Sequence, residues 1–354
     1  MSRFLSNRFE KLKAYVPGEQ PQDKGYIKLN TNESPYPPAP QVLEAICANE
    51  INDLRLYSDP ECKKLREALA GHYGVKPQNL MLGNGSDEVL SFVFMAFCDG
   101  KVGVSYPDIS YGFYPVYSDL YGIAKNEIPL RADFAINAED YYNSGTTIVI
   151  ANPNAPTGIC LSIADIESIV KYNPNNVVVI DEAYIDFGGE SCLPLTAKYD
   201  NLLVIQTYSK ARSLAGARLG YAVGNAELIA DLEKLRYSTN PYNLNRLTLL
   251  AGKAALDGQA YYDNNNLLII QTREYASGKL KDMGFELTDS KANFIFSKHP
   301  IFEGKALYQG LRERGILVRH FEKAGISDYL RITVGSKQQM DSLLDTLKEM
   351  LKNA

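Results

Sequence analysis

Lys210 closes the apolar run "NLLVIQTYSK", with Ser209 directly before it and Arg218 further along the same stretch, "KARSLAGARLG". Most lysines are solvated surface charges, but an amine placed at the end of a buried strand can act as a nucleophile toward a carbonyl. A second run, "NVVVIDEAYIDF", ends in Asp181 and carries Tyr184 on the turn that follows. In "GNGSDE", Ser86 and Asp87 sit at a glycine turn that opens an apolar helix. Each position alone has an ordinary explanation. Ser86 and Asp181 serve equally well as helix and turn caps, and Arg218 as half of a surface ion pair.

Together the same residues meet one chemical requirement. Lys210 supplies an amine. Ser209, Arg218 and the free N–H groups at the helix start supply donors for a phosphate, although Asp87 and Glu88 compete for that positive end. Asp181 supplies a carboxylate for a protonated ring nitrogen, and Tyr184 a phenol for a ring oxygen. That constellation describes pyridoxal 5'-phosphate.

Such groups need strands to carry them. "KVGVSYP", "TTIVIANP", "NVVVID", "NLLVIQ" and "GARLGYAVG" read as short buried strands alternating with helices at 62–74, 86–98 and 162–173, which indicates an α/β fold with a mostly parallel sheet covered on both faces. Ligands of such sheets bind beyond the carboxyl ends of the strands, where "NPNAPTG", "DEAY" and "TYSK" all fall. The order changes near residue 265 to a long polar helix, then "NFIFSK", "ILVRHF", "YLRITVG" and an amphipathic terminal helix. The expected organisation is an N-terminal arm (1–40), a large domain (41–264) and a smaller α+β domain (265–354) that the arm joins.

Composition bounds the partners. A net charge of −5 gives no basic field for nucleic acid. The five cysteines are odd in number and never spaced CxxC, and the three histidines lie far apart, so neither a disulfide framework nor a metal site is expected. The longest apolar stretch, "VLSFVFMAFC", is too short to span a bilayer, and "MSRFLSNRFEKLKAY" has no signal-peptide core. The expectation is a cytoplasmic protein with no membrane partner.

The motifs "LNTNESPYPP", "YSDPECKKLREALA", "GNGSDE", "YPDISYGFY", "NPNAPTG", "DEAYIDF", "TYSKARSLAGARLGY" and "YLRITVG" occur in an order that resembles the fold type I pyridoxal-phosphate aminotransferases, and within them the histidinol-phosphate group. The resemblance implies that Lys210 carries the cofactor, Asp181 pairs with its ring nitrogen and Tyr184 bonds its ring hydroxyl. It implies phosphate ligands at Ser86, Asp87, Ser209 and Arg218, and a stacking role for Tyr111. Tyr57 matches a tyrosine that reaches the cofactor of a neighbouring subunit, which implies a homodimer with shared sites; plain packing is the rival reading of Tyr57 and Tyr111.

One departure stands out. The family has asparagine where this chain has Ala155, so the bond to the ring oxygen falls to Asn152 or Asn154, to water, or to Tyr184 alone; Asn154 is the candidate carried forward. Arg331 matches the arginine that grips an anionic substrate group, and Arg319 and Tyr15 match additional phosphate donors. The implied reaction is ping-pong transamination between L-histidinol phosphate and 2-oxoglutarate. Aromatic amino acids as substrates, decarboxylation of threonine phosphate, and a non-enzymatic binding protein on the same scaffold are the competing readings.

Overall fold

The runs that read as buried strands alternate their side chains between two cores. In Thr147–Ala151 (β5), Val178–Asp181 (β6) and Leu202–Thr207 (β7), the residues Ile148, Ile150, Val178, Ile180, Leu202 and Val204 enter one apolar cluster. Their neighbours Val149, Val179, Leu203 and Ile205 enter the other. This is the period-two geometry of a strand buried on both sides.

The computed structural model describes residues 4–6, 9–10, 12–21 and 25–352, the side chains of Ala48 and Asn49 excepted. Parts of the expected arm (1–3, 7–8, 11 and 22–24) and the last two residues of the expected small domain lie outside the described residues. The remaining strands in chain order are Ile27–Lys28 (β1), Leu80–Asn84 (β2), Val104–Pro107 (β3), Lys125–Ile128 (β4), Leu219–Gly224 (β8), Glu286–Leu287 (β9), Phe294–Lys298 (β10), Ile316–Leu317 (β11), Arg319–His320 (β12) and Tyr329–Thr333 (β13).

Among the described residues β2-β8-β7-β6-β5-β3-β4 form a seven-stranded sheet. Strands β7, β6, β5, β3 and β4 pair in parallel, whereas β8 runs antiparallel to both β7 and β2. Helices Lys63–Tyr73, Ile163–Lys171 and Arg246–Asp257 cover one face of the sheet. Helices Gly85–Phe97, Phe113–Tyr121 and Ala226–Thr239 cover the other. Gly74, at φ +67°, ends its helix in the left-handed conformation that glycine adopts at least cost.

A second sheet, β12-β13-β10-β9, is antiparallel throughout and packs on helices Gly304–Glu313 and Lys337–Lys352 around its own core. Strand β1 pairs in parallel with β11, so residues 27–28 are tied to the C-terminal part of the chain. The architecture is the expected α/β layer with a smaller α+β part. The polar helix expected from residue 265 begins earlier, at Gln259, and runs unbroken to Asp282 across the expected boundary. Asn265 and Asn266, inside this helix, are buried despite their polarity, as is Tyr262 before them.

Candidate active site

Chain direction explains why the singled-out residues meet. Strand β2 is antiparallel to β8 and β8 is antiparallel to β7, so β2 runs the same way as β7, β6 and β5. Their carboxyl ends therefore share one edge of the sheet, and the start of antiparallel β8 lies there too. That edge presents Ser86 and Asp87 after β2, Ala155 after β5, Asp181 at the end of β6, Lys210 after β7 and Arg218 just before β8. All of them line one cavity of about 580 Å³, within the size range of small-molecule sites.

Lys210 is partly buried, its Nζ donates to the carbonyl of Thr31 at 3.2 Å and lies 5.9 Å from the centre of the Tyr184 ring. Burial, reinforced by the Arg331 charge, pulls its ammonium down to about 8, against the opposing pull of Glu33 and Asp87. Asp181 has the same sheet parity as Val179 and so turns toward the helix that carries Tyr114. Its Oδ2 accepts from the Tyr114 phenol at 3.0 Å, while the buried Oδ1 has no protein partner. Burial pushes its carboxyl up to about 7, and the Tyr114 bond opposes that rise. A buried carboxylate oxygen without a donor is costly unless a proton or cation meets it.

The helix after β2 starts at Gly85, with Asn84 as the flanking residue; Ser86 is inside the first turn and does not cap it. The Asn84 N–H is taken by the Glu88 carboxylate at 2.6 Å, so Glu88 turns back rather than toward the cavity. Asp87 is likewise engaged, accepting from Arg218 at 2.8 Å and from the Tyr111 phenol at 2.7 Å. The acids that compete for the helix end are thus each occupied, and first-turn N–H groups without intrahelical acceptors remain for an anion. Close approach is built in: a Cβ on Gly220 would lie 2.3 Å from the Ser86 nitrogen, and one on Gly85 2.5 Å from the Arg218 guanidinium. Ser209 is held from below, its N–H donating to the Thr207 hydroxyl at 3.1 Å.

Two expected residues fall outside this cavity. Asn154 spends its amide on the adjoining loop, donating to the Ile109 carbonyl at 2.9 Å and accepting from the Ser110 hydroxyl at 2.7 Å. It is buried under the site, while Ala155 and Pro156 form the lining. Tyr57 is 80% exposed and stacks on Tyr242 with ring centres 4.4 Å apart, away from its own chain's cavity.

The opposite wall comes from the arm and the second sheet. Arg319 and Arg331 are directly paired across β12 and β13. Arg331 donates to the Asn30 carbonyl at 3.0 Å and its buried Nε has no protein partner. Arg319 reaches the carbonyls of Val16 and Pro17 at 3.2 and 3.3 Å. Tyr15 stacks on Phe113 with centres 4.1 Å apart; burial raises its phenol, and the two arginines oppose that rise.

Some lining or supporting residues carried no sequence assignment. Tyr114 was legible only through helical spacing, lying three residues after Tyr111 and three before Tyr117 on the face that meets the sheet. Lys323 donates to the Asp108 carbonyl and reaches the cavity from the loop after β12. Asn32 donates to the Tyr184 oxygen at 3.0 Å. Nothing local in the sequence marked either of the last two, because each acts across a long chain separation.

Comparison with known proteins accords with this geometry. The family model described as aminotransferase class I and II matches residues 24–347. A histidinol-phosphate aminotransferase of Brachyspira hyodysenteriae is 48% identical over 354 residues, covering 100% of both chains. One from Acinetobacter baylyi is 49% identical over 98% of this chain and 97% of its own. Among solved structures, histidinol-phosphate aminotransferase from Sinorhizobium meliloti in complex with pyridoxal-5'-phosphate superposes with a TM-score of 0.90 at 26% identity, over 99% of this chain and 100% of that one.

Proposed function

The chain belongs to the class I and II aminotransferase family, and from that membership we propose that it transfers the amino group of L-histidinol phosphate to 2-oxoglutarate, a step of histidine biosynthesis that yields imidazole acetol phosphate and glutamate. Pyridoxal 5'-phosphate is the cofactor. The residues fit that group: the unpartnered Asp181 Oδ1 would take a protonated ring nitrogen, and the glycine-narrowed approach at Gly85 and Gly220 would let backbone N–H groups, with Arg218 and Ser209, hold a phosphate. When bound, the cofactor supplies an electron sink conjugated to the substrate carbon that bears the amine.

The chain's own side chains do the rest. Lys210 would provide the amine that carries the cofactor and, when free, would take the proton from Cα of the amino donor in the first half-reaction and deliver one to Cα of the new amino acid in the second. With its ammonium lowered to about 8, on the order of a tenth of it is neutral near neutral pH. Asp181 would hold the ring-nitrogen proton, Tyr184 would donate to the ring oxygen, and Tyr111 would stack on the ring. Ser86 and Asp87 would hold the phosphate at the helix start. Asn154 has no direct role and instead fixes the loop that carries Tyr111.

One observation carries the choice of substrate. Arg319, Arg331 and Tyr15 converge at the wall opposite the sheet edge. Two guanidiniums and a phenol suit a phosphate dianion, and Arg331 alone suffices for a carboxylate of the oxo acid in the second half-reaction. An aromatic amino acid would present only one carboxylate to this pair. We further read the active unit as a cytoplasmic homodimer in which exposed Tyr57 completes the site of a second copy. The smaller α+β part with its arm forms one wall, and the large sheet forms the other.

Borohydride reduction followed by peptide mapping tests the cofactor assignment. The purified protein should show a visible chromophore that borohydride bleaches, with the label on the peptide containing Lys210. A label elsewhere, or no chromophore after incubation with the cofactor, contradicts it.

A further inference from the structure

Asn32 lies in the motif "LNTNES", holds a left-handed backbone at φ +56° and is buried. Asparagine is one of the few non-glycine residues that tolerates this conformation. Its backbone is fastened at both ends: the N–H donates to the Thr333 hydroxyl at 2.9 Å, and the carbonyl accepts from the Asn293 amide at 3.0 Å. Thr333 has a single hydroxyl proton, and it goes to Asn32 Oδ1 at 3.1 Å. That bond leaves Asn32 Nδ2 facing the Tyr184 oxygen, at 3.0 Å. A phenol oxygen that accepts from an amide still has its own proton to give elsewhere.

We infer that Asn32 is a positioning residue for Tyr184: its locked amide occupies the acceptor side of the phenol and directs the phenol O–H into the cavity. The inference rests on the proposed cofactor-binding role of Tyr184. Ala155, packed in the same cluster as Tyr184, brings no side-chain donor of its own. Tyr184 is therefore the tyrosine whose aim matters, and a residue from the N-terminal part of the chain sets that aim. Residue Thr31 beside it takes the Lys210 ammonium, so one short segment braces both groups.

The test is a pH titration of the visible absorption of the cofactor-loaded protein. A donor to the ring oxygen stabilises its negative charge and weakens the hold of the neighbouring nitrogen on its proton. Loss of that donor therefore raises the titration midpoint. Tyr184→Phe and Asn32→Gly, the latter compatible with the left-handed backbone, should each raise the midpoint by about half a unit or more. The double variant should shift no further than Tyr184→Phe alone.

Asn32→Asp keeps the size and backbone should the glycine variant fold poorly. Its shift should shrink in the Tyr184→Phe background, where only its added charge can act. An unmoved or lowered midpoint in Asn32→Gly, additive shifts, or an undiminished Asn32→Asp shift overturns the inference while leaving the proposed function standing. A parent protein with no such absorption contradicts the proposed function and this inference with it.

Discussion

Arg319 and Arg331 stand opposite one another in direct register across two antiparallel strands, and the described hydrogen-bond acceptors of both guanidiniums are backbone carbonyls of the N-terminal segment. Like charges at facing strand positions cost roughly 0.2–1 kcal/mol. Burial also lowers the Arg331 guanidinium from its ordinary value. An arrangement that is unfavourable by itself becomes favourable when a dianion bridges the two cations.

The first expected outcome follows from that pair. Arg319→Ala should lower kcat/KM for histidinol phosphate by about 10- to 150-fold, the value of one or two charge-assisted hydrogen bonds. The half-reaction with glutamate, which Arg331 can hold alone, should fall much less. Single-turnover rates with each donor measure the split, and equal losses would remove the phosphate role of Arg319.

Asp181 gives a pH signature in the cofactor-free protein. Its carboxyl is raised from 3.8 to about 7, so the folded chain binds that proton more tightly than the unfolded chain does. The resulting stabilisation is complete at acid pH and is lost as pH rises through this interval. Urea-unfolding midpoints at about pH 4.5 and about pH 7.5 should therefore differ more in the parent than in Asp181→Asn, which has no proton to release. Asp181→Asn should also hold the cofactor more weakly, because the ring nitrogen loses its counter-charge.

Gly220 sets how closely β8 approaches the helix start. A Cβ there would meet the Ser86 nitrogen at 2.3 Å and the Gly85 carbonyl carbon at 2.5 Å, both backbone atoms that cannot swing aside. Gly220→Ala should cost about 1–3 kcal/mol of stability by overpacking. It should also weaken cofactor binding, read by equilibrium dialysis. An alanine variant with unchanged affinity would place the phosphate elsewhere.

Lys210→Ala should still take up pyridoxal 5'-phosphate, held by Arg218, Ser209 and the helix start, but without the borohydride-reducible link. Steady-state transamination should be lost. Turnover retained at more than about a hundredth of the parent rate would refute its role as the proton carrier.

The strands and the edge at which their carboxyl ends meet were legible because their signals are local. Apolar runs such as Val178–Asp181 and Leu202–Thr207 announce buried strands, and parallel order puts their ends at one edge. The start of the helix at Gln259 was not legible, since buried Tyr262 precedes the asparagine run with which the polar helix reads as beginning. Ser86 reads as a cap by residue type, yet the Glu88 carboxylate takes the Asn84 N–H and the helix begins one residue before Ser86. Asn154 was the candidate to stand in for the asparagine missing at position 155, but its amide is committed to Ile109 and Ser110. Asn32 acts through a partner 152 residues away, and no window of sequence reports such a contact.

The most direct test of the central claim is a comparison of glutamate formation from 2-oxoglutarate with L-histidinol phosphate, L-threonine phosphate and L-phenylalanine as donors. The arginine pair predicts a kcat/KM for histidinol phosphate exceeding that for phenylalanine by about a hundredfold or more, without release of carbon dioxide. Equal or better use of phenylalanine, or carbon dioxide release from threonine phosphate in place of glutamate formation, would contradict it.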